Sequence, residues 1–486
     1  MEDTIAAFAT PPVRETGDGA VGVIRVSGPL AFAIAEKIYR GKKPFCKIKP
    51  YTIGYGFIYD AAYPHEDGMA AGEPVTGGIV DEVLILKMRA PRSYTCEDVV
   101  EIHCHAGAGV QRRILRLILR EGARAAGPGE FTKRAFLNGR IDLAQAEAVM
   151  DLIRTKSEAG ASVAIRQLEG ALSARLASVR DDIIGIVASV EAFLDFPEHE
   201  VEEQAISDID AALENAGRNM QRLADSFGYG RAAREGVAAV ISGRPNVGKS
   251  TLLNLFAGKE RAIVTDTPGT TRDVIDEYIN LGGLTVRFLD TAGIRETCDA
   301  VEKIGVDRAI AAVEKADIVL VLFAADEGFA GGDAGLMEIA KNKKRVFIIN
   351  KTDLATPEAV SGLREAILTR AAGENNTPGG DYEIICASFI NVGGVAEIEN
   401  AVLRLAAGGA MPGYGDAVVS NERHYGAIMR ALESVGNARG TLRAGLPLEM
   451  PVIDMREALS AIGEITGETY AEDIIDRIFS EFCVGK

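Results

Sequence analysis

Gly243-Arg-Pro-Asn-Val-Gly248-Lys249-Ser250 fits the spacing G-x-x-x-x-G-K-[ST]. Glycines at both ends let backbone N–H groups wrap a polyphosphate. A lysine can then reach the outer phosphates, and a hydroxyl can bind Mg²⁺. Lys249 and Ser250 are the residues for those tasks, with Asn246, Val247, Gly248 and Thr251 completing the cradle. A second motif, D-x-x-G, comprises Asp290, Thr291, Ala292 and Gly293. Its acid can hold the Mg²⁺ water shell, and the Gly293 N–H can sense the terminal phosphate. A third, N-K-x-D, contains Asn350, Lys351 and Asp353. A carboxylate at Asp353 can accept hydrogen bonds from guanine N1–H and the 2-amino group. Adenine lacks that donor pair, so unmet polar groups penalise it. Ala387, after Cys386, is expected to give the last base contact through its N–H.

Between the first two motifs lie Thr265, Asp266, Thr267, Pro268, Gly269, Thr270 and Thr271. This is the expected switch loop, with the Thr271 hydroxyl on Mg²⁺. Ile294 follows the second motif, where many signalling GTPases carry a water-orienting glutamine. An apolar residue cannot orient water, so another group must. Asn246 beside the Gly269-Thr270-Thr271 backbone makes a hard-oxygen cage suited to a cation. Such a cation would stabilise the charge that an arginine finger stabilises.

The elements that must position these motifs are legible from periodicity. Val237–Ser242, Leu284–Leu289, Ile318–Phe323, Val346–Ile349 and Glu383–Cys386 are apolar strand candidates, mostly separated by helical stretches. They predict a mainly parallel, doubly wound sheet, with each motif near a strand's C-terminal end. The helix after the phosphate loop is expected over Thr251–Phe256. Residues 1–138 mix strands (Ile5–Ala9, Val21–Val26, Val80–Met88, Val99–His105) with turns, and 139–235 are alanine-rich and helical in period. Residues 411–486 are helical again, with Ile474, Ile475, Ile478, Phe479 and Phe482 as one stripe. Gly228-Tyr-Gly230 and Met411-Pro-Gly-Tyr-Gly415 are expected linkers around a nucleotide domain, 236–410, inserted into a helical domain.

Bulk numbers narrow the class. The net charge of −17 argues against broad electrostatic capture of nucleic acid, so any RNA contact must be local. Arg112, Arg113, Arg116 and Arg120, and Lys133-Arg134, are the basic clusters noted for that role, against the plainer reading of a solvated helix face. The six cysteines are scattered without a C-x-x-C pair, and no apolar run is long enough to span a membrane. A reduced, cytoplasmic chain is the expectation. His103-Cys104-His105 has metal-ligating residue types, but adjacent strand residues point to opposite faces.

Segments outside the nucleotide domain carry a family resemblance. They include Asp3-Thr-Ile5, Gly22-Val-Ile-Arg25-Val-Ser-Gly28, Pro91-Arg-Ser-Tyr-Thr95, Glu97-Asp-Val-Val-Glu101, Pro128 through Arg140, and the tail Phe482-Cys-Val-Gly-Lys486. With the three nucleotide motifs, the chain closely resembles the MnmE (TrmE) family of tRNA-modification GTPases, nearly end to end. The resemblance implies an N-terminal α/β domain that dimerises and binds folate, followed by a helical domain interrupted by a Ras-like GTPase domain. It implies potassium held by Asn246, the backbone of Thr265 and Thr267, and Thr270, and a water-positioning Glu302. It maps a folate pocket onto Arg25, Glu101, Arg140 and Lys486, with Cys483 nearby. Strand alternation places Glu101 on the polar face of Val99–His105, where a carboxylate suits a pterin's amino-pyrimidine edge. Arg25 and Arg140 are expected to offset the folate's acidic tail. Cys96 stands where the resemblance expects glycine.

The implied function is GTP hydrolysis driving open–closed motion in a homodimer. With the flavoprotein MnmG (GidA), in a heterotetramer or larger complex, it would add an aminomethyl or carboxymethylaminomethyl group at C5 of the tRNA wobble uridine. Mg²⁺, K⁺ and a tetrahydrofolate derivative (5,10-methylene or 5-formyl) are the implied cofactors. The competing reading is a ribosome-assembly or RNA-binding switch GTPase without modification chemistry, which the nucleotide motifs alone would permit.

Overall fold

In strand Val99–His105, Val100, Ile102 and Cys104 are buried while Glu101, His103 and His105 reach the other face, as the two-residue period of a strand requires. The computed structural model describes residues 3–12, 20–61, 78–195, 203–258, 276–289, 310–372, 382–409, 411–413, 415–469 and 472–486. Among these, the chain divides into two compact units.

The first unit holds 1–147 and 466–486. Its strands are β1 (Ile5–Phe8), β2 (Val21–Ser27), β3 (Tyr39–Gly41), β4 (Ile53–Tyr59), β5 (Ile79–Met88), β6 (Val99–His105) and β7 (Arg124–Ala125). They form one sheet in the order β3-β4-β5-β6-β2-β1-β7. All neighbours pair antiparallel except β1 and β7. Helices α1 (Ala31–Ile38) and α2 (Ala108–Arg120) bury Ile34, Ile38, Ile114 and Ile118 against Ile24, Ile85, Val100 and Ile102. The opposite sheet face keeps Arg25, Glu101 and His103, and beside them Ile53, Tyr55 and Leu84 are 65, 54 and 44% exposed.

Helix α3 (Glu130–Leu137) packs against the helix Glu472–Ser480, with Phe136 and Phe479 rings 6.4 Å apart. The chain end follows. Pro128 pairs with Val484, and the Gly129 and Phe131 N–H groups donate to the Cys483 and Lys486 carbonyls at 3.3 and 3.2 Å. The last helix and tail therefore fold with the N-terminal segment. Ile475, Phe479 and Phe482 of the expected stripe are buried there, while Ile474 is exposed.

Arg134 is fully buried. Its guanidinium meets Asp3 Oδ1 at 2.8 Å and Glu97 and Glu130 at 3.1 Å, and donates to the Asp3 carbonyl. The Lys133-Arg134 pair is thus corrected as an RNA cluster: one member is a core cation, and Lys133 is paired with Asp476 at 2.6 Å. Cys96 adopts φ 60°, the left-handed conformation that favours glycine, at the position where glycine was expected.

The second unit, 148–465, carries the other sheet. Its strands β8 (Val237–Gly243), β9 (Glu277–Leu281), β10 (Leu284–Phe288), β11 (Ile318–Ala324), β12 (Lys344–Asn350) and β13 (Tyr382–Cys386) lie in the order β13-β12-β11-β8-β10-β9. Pairing is parallel except between β9 and β10. Every residue of β11 is buried, as a strand covered on both faces must be. One face packs Leu252, Phe256, Ile398 and Val402, and the other packs Met337, Leu363 and Ile367.

Gly228-Tyr-Gly230 is not a linker but part of the helix Phe227–Glu235. Side chains at these glycines would collide with the Ala407 and Val419 carbonyls. The glycines serve close backbone packing rather than a turn. Helices Glu203–Asp225 and Glu422–Arg443, from either side of the sheet in sequence, are joined by Arg439 to Asp210 at 2.9 Å and Glu214 at 2.7 Å. Among the described residues no helix is long and apolar enough to cross a membrane.

Candidate functional site

Strand β8 has β10 on one side and β11 on the other, so its C-terminal end is the sheet's switch point, where such folds bind ligands. The helix Lys249–Ala257 starts directly after the loop that leaves it, presenting a helix N-terminus suited to phosphate. Gly248 has φ 106°, and a Cβ there would come within 2.5 Å of Asn350 Nδ2. Only glycine fits. Asn246 stands at φ 62°, a conformation asparagine tolerates better than most residues. Among the described residues no backbone carbonyl takes the N–H of Asn246, Val247 or Gly248, which is the donor set a polyphosphate needs.

Lys249 Nζ lies across the loop, donating to the Gly243 and Arg244 carbonyls at 2.9 and 2.7 Å. Burial pushes its ammonium below the usual lysine value. Arg244 is held away from the loop's mouth by Asp333 at 2.9 Å, Glu327 at 2.7 Å and the Gly328 carbonyl at 3.1 Å. Asp326 and Glu327 also face Lys351, at 3.3 and 3.7 Å. The segment after β11 thereby ties the phosphate loop to the loop of Asn350–Asp353, a role that no sequence motif announced.

The residues expected to read the base converge. Asn350 Nδ2 donates to the Val247 carbonyl at 2.9 Å, and its Oδ1 accepts from the Phe389 N–H at 3.2 Å. It thus joins its own loop to the phosphate loop and to the segment at Phe389. Asp353 Oδ1 accepts from the Ser388 hydroxyl at 2.6 Å. The Ala387 N–H donates to the Ile349 carbonyl at 2.8 Å as an extension of the β12–β13 ladder. The free base-contacting donor expected at Ala387 is therefore corrected. The residue of this segment that reaches the Asp353 carboxylate is Ser388.

Ser250 and Asn246 are the only members of the expected metal sets among the described residues. Thr265, Asp266, Thr267, Pro268, Gly269, Thr270, Thr271, Asp290, Thr291, Ala292, Gly293, Ile294 and Glu302 lie outside them.

In the first unit, Arg25 and Glu101 are cross-strand partners on β2 and β6. Arg25 Nε and Nη2 each stand 2.8 Å from Glu101 Oε1. His103 Nε2 is 3.6 Å from the other carboxylate oxygen and, among the described residues, has no hydrogen-bond partner. His103 and Arg25 hold the Glu101 carboxyl below its ordinary range against the opposing effect of burial. The guanidinium carbons of Arg25 and Arg140 lie 5.3 and 4.9 Å from the Tyr94 ring centroid. Arg140 also donates to the Tyr94 carbonyl at 2.8 Å.

Lys486 joins through its carbonyl on Phe131, whose ring lies 5.6 Å from Arg25, and Cys483 is exposed. The four expected pocket residues thus share one neighbourhood, and Tyr94 and His103 join them. Arg25 is committed to Glu101, so of the two arginines expected to meet an acidic tail only Arg140, which is exposed, remains open to it. His103 and His105 share one sheet face and Cys104 lies buried on the other, so the run forms no ligand set.

Comparison with known proteins bears on both units. A family model described as the MnmE helical domain matches residues 143–483, and one described as the GTP-binding protein TrmE N-terminus matches 4–140. The tRNA modification GTPase MnmE of Acetivibrio thermocellus is 43% identical over 488 residues, covering 100% of this chain and 99% of that one. The protein of the same name from Alkaliphilus oremlandii is 44% identical over 489 residues, with 100% of both chains covered. Among solved structures, Era from Aquifex aeolicus is 27% identical over 41% of this chain and 66% of its own, with a TM-score of 0.28. Full-length identity at this level, with both family models matched, settles the assignment: the chain belongs to the MnmE family of tRNA modification GTPases.

Proposed function

We propose that this GTPase is potassium-dependent and drives, with the flavoprotein MnmG (GidA), folate-dependent addition of a carboxymethylaminomethyl or aminomethyl group at C5 of the tRNA wobble uridine. The observation that carries this reading is the pairing, in one chain, of a guanine-nucleotide site with a separate carboxylate–arginine site. Glu101 and Arg25 fit a pterin edge: one carboxylate oxygen is fixed by Arg25, and the other stands beside the unpartnered His103 Nε2.

At the nucleotide, Lys249 and the helix N-terminus neutralise phosphate charge. Lys249 leaves the two carbonyls that now hold it and turns to the phosphates. Asn350 and Asp353 fix the base. Ile294 cannot orient the attacking water, and the family resemblance assigns that task to Glu302. Asn246, Thr265, Thr267 and Thr270 would hold K⁺, and Ser250 and Thr271 Mg²⁺. Those cations, when bound, supply the positive charge that stabilises the bridging oxygen of the leaving group.

The exposed face of Ile53, Tyr55 and Leu84 supports a homodimer, because an apolar patch on a sheet face marks a protein contact. The Arg439 ion pairs between helices on either side of the sheet in sequence support a GTPase domain, 236–410, inserted into a helical one. We infer that it works in the cytoplasm, a reading supported by its membership in a tRNA-modifying family.

Deleting the gene and analysing wobble uridines in bulk tRNA tests the reading. Loss of the C5 group is expected, and unchanged modification would sink it. GTP turnover should rise in potassium over sodium; equal rates would remove the cation cage at Asn246.

A further inference from the structure

Although the whole chain carries a net charge of −17, the stretch 37–49 contains no acidic residue. It runs on from the last turn of α1 and lies in the same helical layer as α2, over the buried face of the first sheet. Ile38, Tyr39, Phe45 and Ile48 point into the core they share with Ile114 and Ile118 of α2. Lys42, Lys43, Lys47 and Lys49 are left exposed, as are Arg112 and Arg116 one turn apart on α2.

Among the described residues, none of these six cations has a carboxylate partner. Neighbouring cations do: Lys37 meets Glu121 at 3.2 Å, and Arg120 meets Asp60 at 2.6 Å. The layer therefore mixes compensated charges with an uncompensated group. The Arg25–Glu101 site and the apolar patch of Ile53, Tyr55 and Leu84 occupy the other side of the sheet. Pairing through that patch would leave the basic layer facing outward.

We propose that this basic layer is the chain's own contact to the tRNA phosphate backbone. The inference rests on the tRNA-modification reading and names the surface that serves it. Unpaired lysines and arginines on a rigid layer recognise a polyanion by displacing its counterions, which gives affinity and register without sequence information. The acidic remainder of the molecule repels the same polyanion, so it is steered to this layer. Of the arginines noted from sequence, Arg112 and Arg116 belong to the contact. Arg120 is committed to Asp60, and the lysines of 42–49 carry the larger share.

The test uses the full chain and an unmodified tRNA transcript, with binding followed by fluorescence anisotropy between 50 and 200 mM KCl. Wild-type affinity should fall linearly on a log–log plot, by about 0.7 to 0.9 per phosphate neutralised. In the triple variant K42Q/K43Q/K47Q the slope should flatten by about 2. Affinity at 100 mM KCl should fall at least tenfold, with GTP hydrolysis in the absence of tRNA unchanged. R112Q/R116Q should act in the same direction, and as a separate element it guards against local misfolding in either variant.

Unchanged tRNA affinity and slope in both variants would overturn the proposal. So would variants that keep tRNA binding but lose binding to phosphatidylserine vesicles, which would assign the layer to a membrane surface. A wild-type chain that does not bind tRNA would overturn it as well. Wobble-uridine analysis of the deletion strain reports on the parent reading separately, so the two failures are distinguishable.

Discussion

The Ser388 hydroxyl donates to Asp353 Oδ1 at 2.6 Å, linking the loop after β13 to the carboxylate proposed to read guanine. An ionised carboxylate has several acceptor sites, so this bond leaves Asp353 able to accept from N1–H and the 2-amino group. It also fixes the plane in which it does so. Ser388→Ala should weaken GDP binding by a little over tenfold, since a hydrogen bond to a charged group contributes about 1.5 kcal/mol or more. The kcat of saturated enzyme should be unchanged. Competition with a fluorescent guanine nucleotide gives the affinity, and an unaltered Kd would show that Asp353 is oriented by other means.

That bond was hidden in sequence for a definite reason. Cys386-Ala387 looks like the expected loop with its first residue replaced, but β13 extends through Cys386 and the ladder continues into the Ala387 N–H. The serine that reaches Asp353 stands two residues further on, at 388 rather than 386. The phosphate loop was legible because strand, loop and helix must be contiguous there. The central parallel strands of the second sheet were legible because β8, β11 and β12 are largely apolar runs, whereas β9, Glu-Tyr-Ile-Asn-Leu, alternates at the sheet's edge and was not anticipated.

Gly228-Tyr-Gly230 misled because glycine for close packing and glycine for a turn look identical without the neighbouring carbonyls. The fate of Arg134 was equally hidden, since two of its three carboxylates, Asp3 and Glu97, come from segments far from it in the chain, and only Glu130 lies on its own helix.

Arg134 supplies the largest expected stability effect. Removing a buried cation leaves the carboxylates of Glu97, Glu130 and Asp3 without it, a loss of about 3–5 kcal/mol. Arg134→Met should therefore lower the urea midpoint of the N-terminal unit sharply, seen as an early first transition in the full chain. Arg134→Lys should recover little, because one ammonium cannot reproduce the forked contacts. A midpoint equal to wild type for either variant would contradict the structural role.

Cys96 offers the opposite sign. A non-glycine residue at φ 60° carries a backbone cost of about 1–2 kcal/mol. Cys96→Gly should stabilise the first unit, by somewhat less than that because glycine gains entropy in the unfolded chain. Thermal unfolding in reducing buffer measures it, and a fall in the midpoint would mean that the thiol contributes packing that outweighs the strain.

Glu101 gives a prediction in pH. His103 and Arg25 depress its carboxyl below the unfolded value, for which 4.5 is the ordinary glutamate figure. A depressed acid stabilises the fold fully above its unfolded value and loses that contribution as pH falls through the folded one. The effect thus lies entirely on the acid side of about 4.5, and neutral pH leaves the carboxylate ionised. Folate affinity should accordingly show no Glu101 titration between pH 6 and 8.

Glu101→Gln should remove two effects together. It loses the charge-assisted bonds to a pterin edge, expected to weaken folate binding by tenfold or more, and it erases this residue's share of the acid-side stability loss. Arg25→Gln should move the second effect instead, shifting the acid limb toward higher pH while leaving the carboxylate in place. Titration of folate binding and acid unfolding on the same two variants separates a pterin acceptor from a purely structural ion pair. If Glu101→Gln shifts acid unfolding but leaves folate affinity intact, the carboxylate is structural and the pocket assignment fails.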